Sequence, residues 1–237
     1  MKFSVEDKVF ETLDNVCFAV VVAHGLDNTT HNSKIQNLLK ENILLCQTSL
    51  EGVNVKEIES VLCYREAFRK LNVNPNKYMC SIEALLTRIS KGKGIPFINT
   101  AIDLGNAISL KYKIPIGAHD IDTVQEEITL RFSKEQDYFI PFGSTEVEPV
   151  DKNEIVYATG NSVRTRKWIW RQSEEGKITT QSKNIFFPID GFSDTNKDNI
   201  LLAQKELSDI LKNELGCNVS IGWVDAKNKS FTVNCYC

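Results

Sequence analysis

Lys111-Tyr112-Lys113-Ile114-Pro115-Ile116-Gly117-Ala118-His119-Asp120-Ile121-Asp122 is where this sequence changes its period. Before it, apolar residues recur every three or four positions, as Ile35, Leu38, Leu39 and Leu45 do, and again as Ile58, Val61, Leu62 and Phe68 do. After it come short alternating runs separated by turn residues. Helices gathered in one half and strands in the other predict α+β, with the helices packed on a largely antiparallel sheet, and not a doubly wound α/β fold.

Outward from that stretch, helices are expected over 33–46, 55–71, 82–90 (capped by Ser81) and 100 to about 111. The last of these has a capping-box start in Thr100-Ala101-Ile102-Asp103. A short helix and then a Val-rich strand, Cys17 to Ala23, open the chain. Strands are expected at 128–133, 138–141, 154–158, 163–171 and 184–189, then a helix from Lys197 to Leu215, then strands at 219–224 and 230–235. No repeat, linker or low-complexity tract divides the 237 residues, so one domain over 1–237 is the expectation.

With 42% hydrophobic and 25% charged residues the composition is that of a globular protein. A net charge of -3 argues against binding DNA or RNA through bulk positive charge, while leaving room for a local basic patch. No run reaches the ~18 apolar residues of a membrane span, and Val16 to Ala23 follows acids instead of a basic leader. Seven scattered cysteines without a C-x-x-C read as reduced thiols of a cytoplasmic protein. Cys235 and Cys237, one residue apart, invite a metal reading only weakly, and the three histidines lack metal spacing, so no metal and no cofactor is expected.

Two catalytic motifs fail on inspection. Gly92-Lys93-Gly94 lacks the spacing of a phosphate loop, and Gly191-Phe192-Ser193-Asp194-Thr195 lacks the second glycine of a nucleophile elbow, leaving Ser193 or Asp194 as a helix cap. Three segments carry more. Read as one strand, Val163 to Glu174 places Arg164, Arg166, Trp168, Trp170 and Gln172 on a single face. Indoles there could stack on a base while Arg166 or Arg171 holds a phosphate or carbonyl. The alternative is that both indoles pack in the core and the arginines cover acids such as Glu154. Asn99, Asp103 and Asn106 form a polar stripe on an apolar helix, either an internal network or the wall of a pocket. His119 sits at the junction of the two halves, where sites often form, although a lone histidine is commonly structural.

Taken in order, these segments resemble the editing domain of the phenylalanyl-tRNA synthetase beta subunit, the B3/B4-type tRNA-binding domain, in a free-standing form. The resemblance runs from Tyr64-Arg65-Glu66-Ala67-Phe68-Arg69 through Asn74-Pro75-Asn76-Lys77-Tyr78, Ser81 to Leu86, Gly92 to Pro96, Ile98 to Asn106, Pro115 to Asp122 and Arg166 to Ser173. It ends at Lys183 to Asp190, so the core of the resemblance is about 64–190. It implies a metal-independent hydrolase that removes the wrong amino acid from the aminoacyl end of a tRNA, acting in trans, with a positioned water attacking the ester. His119 and Glu174 then orient water, and Asn99, Asp103, Asn106, Arg166, Trp168, Trp170, Arg171 and Gln172 hold the substrate. A module that binds tRNA or a small ligand in the same pocket without hydrolysis is the alternative. Two departures stand out: Gly117 replaces a histidine of the synthetase pattern, and Arg171-Gln172-Ser173-Glu174-Glu175-Gly176 replaces G-G-E-H-S-G. Tyrosine specificity is therefore not carried over.

Overall fold

Residues 16–24 are buried along almost their whole length, and their alternation divides two cores. Val16, Phe18, Val20 and Val22 pack into one apolar cluster, and Cys17, Ala19, Val21 and Ala23 into another. A strand buried on both faces must be apolar at every position, which this one is up to His24. The computed structural model describes residues 1–124 and 127–233.

The elements are β1 (Lys2–Val5), α1 (Asp7–Thr12), β2 (Val16–His24), α2 (Ser33–Ser49), a 3-10 turn (Val55–Glu57), α3 (Glu59–Lys70), α4 (Ser81–Ser90) and α5 (Thr100–Tyr112). Then follow β3 (His119–Asp120), β4 (Glu127–Phe132), β5 (Tyr138–Phe139), β6 (Glu148–Pro149), β7 (Ile155–Thr159), β8 (Ser162–Arg166) and β9 (Arg171–Gln172). β10 (Ile185–Phe192), α6 (Lys197–Asn213), β11 (Asn218–Val224) and β12 (Ser230–Thr232) complete them. The fold is α+β, with five of the six α-helices among the described residues lying before β3, as the periodicity predicts.

The strands form two sheets where one was expected. The larger has the order β12-β1-β4-β7-β8-β5-β6, with β9 on β8; the smaller has β11-β2-β10-β3. Among the described pairs only β1 with β4 and β5 with β8 are parallel. The small sheet is the middle layer. One face meets the large sheet through Phe3, Ile128, Leu130 and Tyr157, and the other meets α5 and α6 through Leu104, Ile108, Ala203 and Leu207.

Several expectations need correction. The helix expected from Val55 is interrupted at Ile58, whose extended backbone separates the 3-10 turn from α3. α5 is capped by Asn99, whose side-chain oxygen accepts from the Ile102 amide at 3.0 Å, while the Thr100 hydroxyl turns away to the Thr30 carbonyl. The cap of α4 is Cys80, and that of α6 is Asn196. Asp194 instead accepts from the Asn15 amide. β1, too short and mixed to show in the pattern, adds a strand before the first helix. Cys235 and Cys237, with the end of the strand expected there, lie outside the described residues.

The largest correction falls on Val163 to Glu174. It is no continuous strand: β8 ends at Arg166, residues 167–170 turn, and β9 returns antiparallel with Arg166 opposite Arg171. Lys167 and Trp168 both have left-handed backbone (φ 47 and 65), costly for residues with a side chain. Local bonds hold them there. The Lys167 amide donates to Glu154 at 2.8 Å, its ammonium bridges Glu154 and Asp151, and the Trp168 amide donates to the Ile155 carbonyl at 2.6 Å. The alternation of faces therefore stops at Arg166.

Candidate functional site

The turn sends Trp168 inward, where it is fully buried and donates its indole N–H to Asp190 Oδ1 at 2.7 Å. Tyr157, in β7, donates its hydroxyl to the same oxygen at 2.6 Å. Tyr64, in α3, donates to the Asp190 carbonyl at 2.8 Å, so three elements fix this residue. Among the described residues nothing donates to Oδ2. Burial raises the Asp190 carboxyl from 3.8 to about 7, with the Tyr157 and Trp168 bonds pulling the other way.

Asp190 lies in the wall of a cavity of about 250 Å³ at the junction of α5, residues 115–119, the 167–172 hairpin and β10. Ile102, Ile116, Pro115 and Trp170 give it apolar walls. Asn106, His119, Thr165, Gln172 and Asp190 supply polar groups. Trp170 is propped edge-on against Tyr78, 4.7 Å between ring centres, and the Arg171 guanidinium lies over it at 5.9 Å. Gln172 spends its amide N–H₂ on the Ala118 carbonyl (2.6 Å), tying β9 to the Gly117–His119 segment.

His119 stands between the rings of Tyr157 and Phe186, at 5.5 and 5.9 Å. Its Nδ1 is buried and has no partner among the described residues. Burial, reinforced by the positive charge of Arg164, lowers the imidazole from 6.5 to about 3, so it is neutral near pH 7. Gly117 is tightly placed. A Cβ there would lie 2.9 Å from the Pro188 ring and 3.5 Å from His119 Nε2, which accounts physically for the lack of a side chain.

Of the residues singled out by sequence, Asn106, His119, Trp168, Trp170 and Gln172 meet at this cavity. The others are placed elsewhere. Asn99 is the α5 cap. Asp103 accepts from the Ile98 amide through Oδ1, while its Oδ2 is buried without a partner and burial raises its pKa. Arg166 is buried against Glu154, with bonds of 3.0 and 2.8 Å, the alternative that the sequence left open. Arg171 is partly exposed, 3.9 Å from Glu148. Glu174 accepts from the Gly143 amide and pairs with Lys177, off the cavity wall, and these bonds lower its pKa. Sequence reasoning missed Asp190. Its signal is a single carboxylate in Ile185 to Phe192, a strand buried throughout, which demands internal donors.

Fold and cavity define an α+β protein with a small mixed-polarity pocket at its helix-to-sheet junction. The chain belongs to the B3/4 domain family, whose model matches residues 63–208. The structure is similar to a crystal structure of an N-terminal fragment of the phenylalanyl-tRNA synthetase beta-subunit from Pyrococcus horikoshii. The TM-score is 0.51 at 12% identity, over 94% of this chain and 54% of that one. The chain thus spans about half the length of that fragment, and the likeness is one of fold. No curated protein matches the chain. Among the described residues no helix is long and apolar enough to cross a membrane.

Proposed function

We propose that this protein is a trans-acting editing hydrolase that deacylates mischarged tRNA, its cavity receiving the aminoacyl group. The observation that supports this most is convergence: Asn106 from α5, His119 from β3, Trp168 and Trp170 from the hairpin turn, Gln172 from β9 and Asp190 from β10 share one hollow. About 250 Å³ suits an aminoacyl group and not a whole aminoacyl-adenosine. The terminal adenosine then lies outside, against half-buried Trp170, with Arg171 beside a phosphate. Asp190 Oδ2 faces the substrate's α-ammonium. Asn106 and the Gln172 carbonyl oxygen orient the ester and a water. Water adds to the ester carbonyl carbon, the bond to the ribose oxygen breaks, and a free amino acid and an uncharged tRNA end leave. An aminoacyl ester is activated enough for orientation to supply much of the rate.

One observation favours the second reading, a non-catalytic tRNA or small-ligand binding module. An imidazole held near 3 is a weak general base at neutral pH. We also infer that residues 1–237 act as one domain, since the main apolar cluster joins Phe3, Tyr157 and Val233. A cytoplasmic setting is our reading of the five described cysteines, all free thiols.

The test is a panel of tRNAs, each carrying one labelled wrong amino acid, incubated with the protein while ester loss is followed. Editing predicts accelerated loss for at least one member, about tenfold or more slower in Asn106→Ala and Gln172→Ala. Saturable binding with no turnover across the panel establishes the module instead. Hydrolysis of simple esters indifferent to the tRNA rejects both.

A further inference from the structure

Among the described residues four arginines are buried: Arg65, Arg131, Arg164 and Arg166. Three have a carboxylate in direct contact, Glu83 at 2.5 Å, Asp137 at 2.7 Å and Glu154 at 2.8 Å. Arg164 has none within ion-pair distance among the described residues. It reaches only the Thr123 hydroxyl (3.0 Å) and, at 3.2 Å, the Thr123 carbonyl, and its Nε has no partner. A buried cation with so few acceptors is costly unless something else supplies them.

Arg164 lines a second cavity, of about 590 Å³, with Tyr138, Thr159, Ser162, Glu175 and Gly176. The pleat separates the two hollows: Thr165 lines the first and its neighbour Arg164 the second, from opposite faces of β8. Thr159 Oγ1 is also buried without a partner in this wall. Gly176, at φ 73, makes room for the guanidinium, because a Cβ there would lie 1.9 Å from Arg164 Nη1. Glu175, in the lining of the same hollow, accepts from the Ser162 hydroxyl. It stays outside ion-pair distance of Arg164, yet close enough for its field to oppose the effect of burial on the arginine.

We propose that this second cavity binds a small zwitterion, a free α-amino acid, with its carboxylate on Arg164 and its ammonium on Glu175. A phosphate would satisfy Arg164 but meet the negative charge of Glu175. A carboxylate with an adjacent ammonium matches both signs, and Thr159 Oγ1 gains a partner. The inference does not depend on the proposed editing activity, which uses the other face of β8.

Calorimetric titration of the full chain tests it, using a panel of free L-α-amino acids, their methyl esters, their N-acetyl derivatives and inorganic phosphate. Binding of at least one free amino acid is expected. Blocking either end should weaken it about tenfold or more, the scale of a hydrogen bond to a charged group. Arg164→Lys and Glu175→Gln should each do the same. Because the first can disturb folding, Glu175→Gln and Thr159→Val, checked by thermal melting, carry the test if it does. No binding at millimolar concentration, phosphate binding as well as the amino acid, or affinity indifferent to Glu175→Gln would overturn the proposal. So would affinity lost in Gln172→Ala but kept in Glu175→Gln, which places the ligand in the first cavity.

Discussion

Trp168 and Asp190, 22 positions apart, are joined by an indole N–H to carboxylate bond of 2.7 Å between two fully buried side chains. The bond couples the hairpin turn to the floor of the cavity. Trp168 holds left-handed backbone to make it, and Asp190 tolerates burial because of it.

Trp168→Phe keeps a ring of similar placement and removes the donor. It should destabilise the protein by about 1.5–3 kcal/mol, the range for a lost hydrogen bond to a charged group, with added cost from the smaller ring. Urea unfolding measures this. An unchanged midpoint would mean that the bond contributes nothing.

Gly117→Ala tests the tight segment beside His119. The added methyl carbon would come 2.9 Å from the Pro188 ring, so β10 or the 115–119 segment must shift. Overpacking of this kind costs about 1–3 kcal/mol. Ligand affinity at the first cavity should fall with stability, because the same segment forms part of its wall. A variant as stable as the parent would show that the segment yields freely.

The dependence of stability on pH should expose two buried groups acting in opposite directions. Asp190 titrates at about 7 when folded and near 3.8 when unfolded. Its contribution is full below the unfolded value and is lost as pH rises through the folded one. His119 titrates at about 3 when folded and near 6.5 when unfolded, so its contribution is full above 6.5 and is lost as pH falls toward 3. Between about 4 and 6.5 the two partly cancel in the parent protein. Asp190→Asn should leave the acid sensitivity of His119 uncovered, with stability dropping below pH 6.5. His119→Gln should leave the slope of Asp190, with stability dropping as pH rises toward 7. Denaturant midpoints across pH 4 to 8 measure both slopes. Parallel profiles in the two variants would contradict the assignment.

The division into helices and strands was legible because its cause is local. The 3.6 and 2 periods of apolar residues survive wherever an element buries one face, as α4 and β4 show. Val163 to Glu174 departs from the single strand its sequence predicts for a matching reason. Its alternation continues through Trp168 on paper, but Glu154, outside the segment, binds the Lys167 amide and the Arg166 guanidinium and turns the chain. That tertiary bond has no local signature. The stripe of Asn99, Asp103 and Asn106 was legible as polar, but its members part because Asn99 caps the helix and Asp103 turns back to Ile98. Only Asn106 reaches the cavity.

The Glu154 cluster provides the remaining prediction, which separates a structural role for the arginine ribbon from a substrate-holding one. Arg166 and Lys167 are both buried, and Glu154 is the buried acid that pairs with both. The second acid, Asp151, is largely exposed, with bonds of 3.2 and 2.7 Å to the same two cations. Glu154→Gln leaves two buried cations sharing the solvent-screened Asp151, with the also screened Glu148 3.8 Å from Arg166, and should cost about 3–5 kcal/mol, the range for breaking a buried pair. Arg166→Met in the same chain removes one stranded charge and should restore part of that loss, so the double variant is more stable than Glu154→Gln alone. If Arg166 instead held a substrate phosphate, Arg166→Met would lower tRNA affinity at unchanged stability and would rescue nothing in the Glu154→Gln background. Thermal melting of the four proteins in this cycle, with tRNA affinity measured on each, decides between the two roles. Lys167 gives an internal check: its amide bond to Glu154 shapes the turn that carries Trp168, so Glu154→Gln should also shift the tryptophan fluorescence of the folded protein.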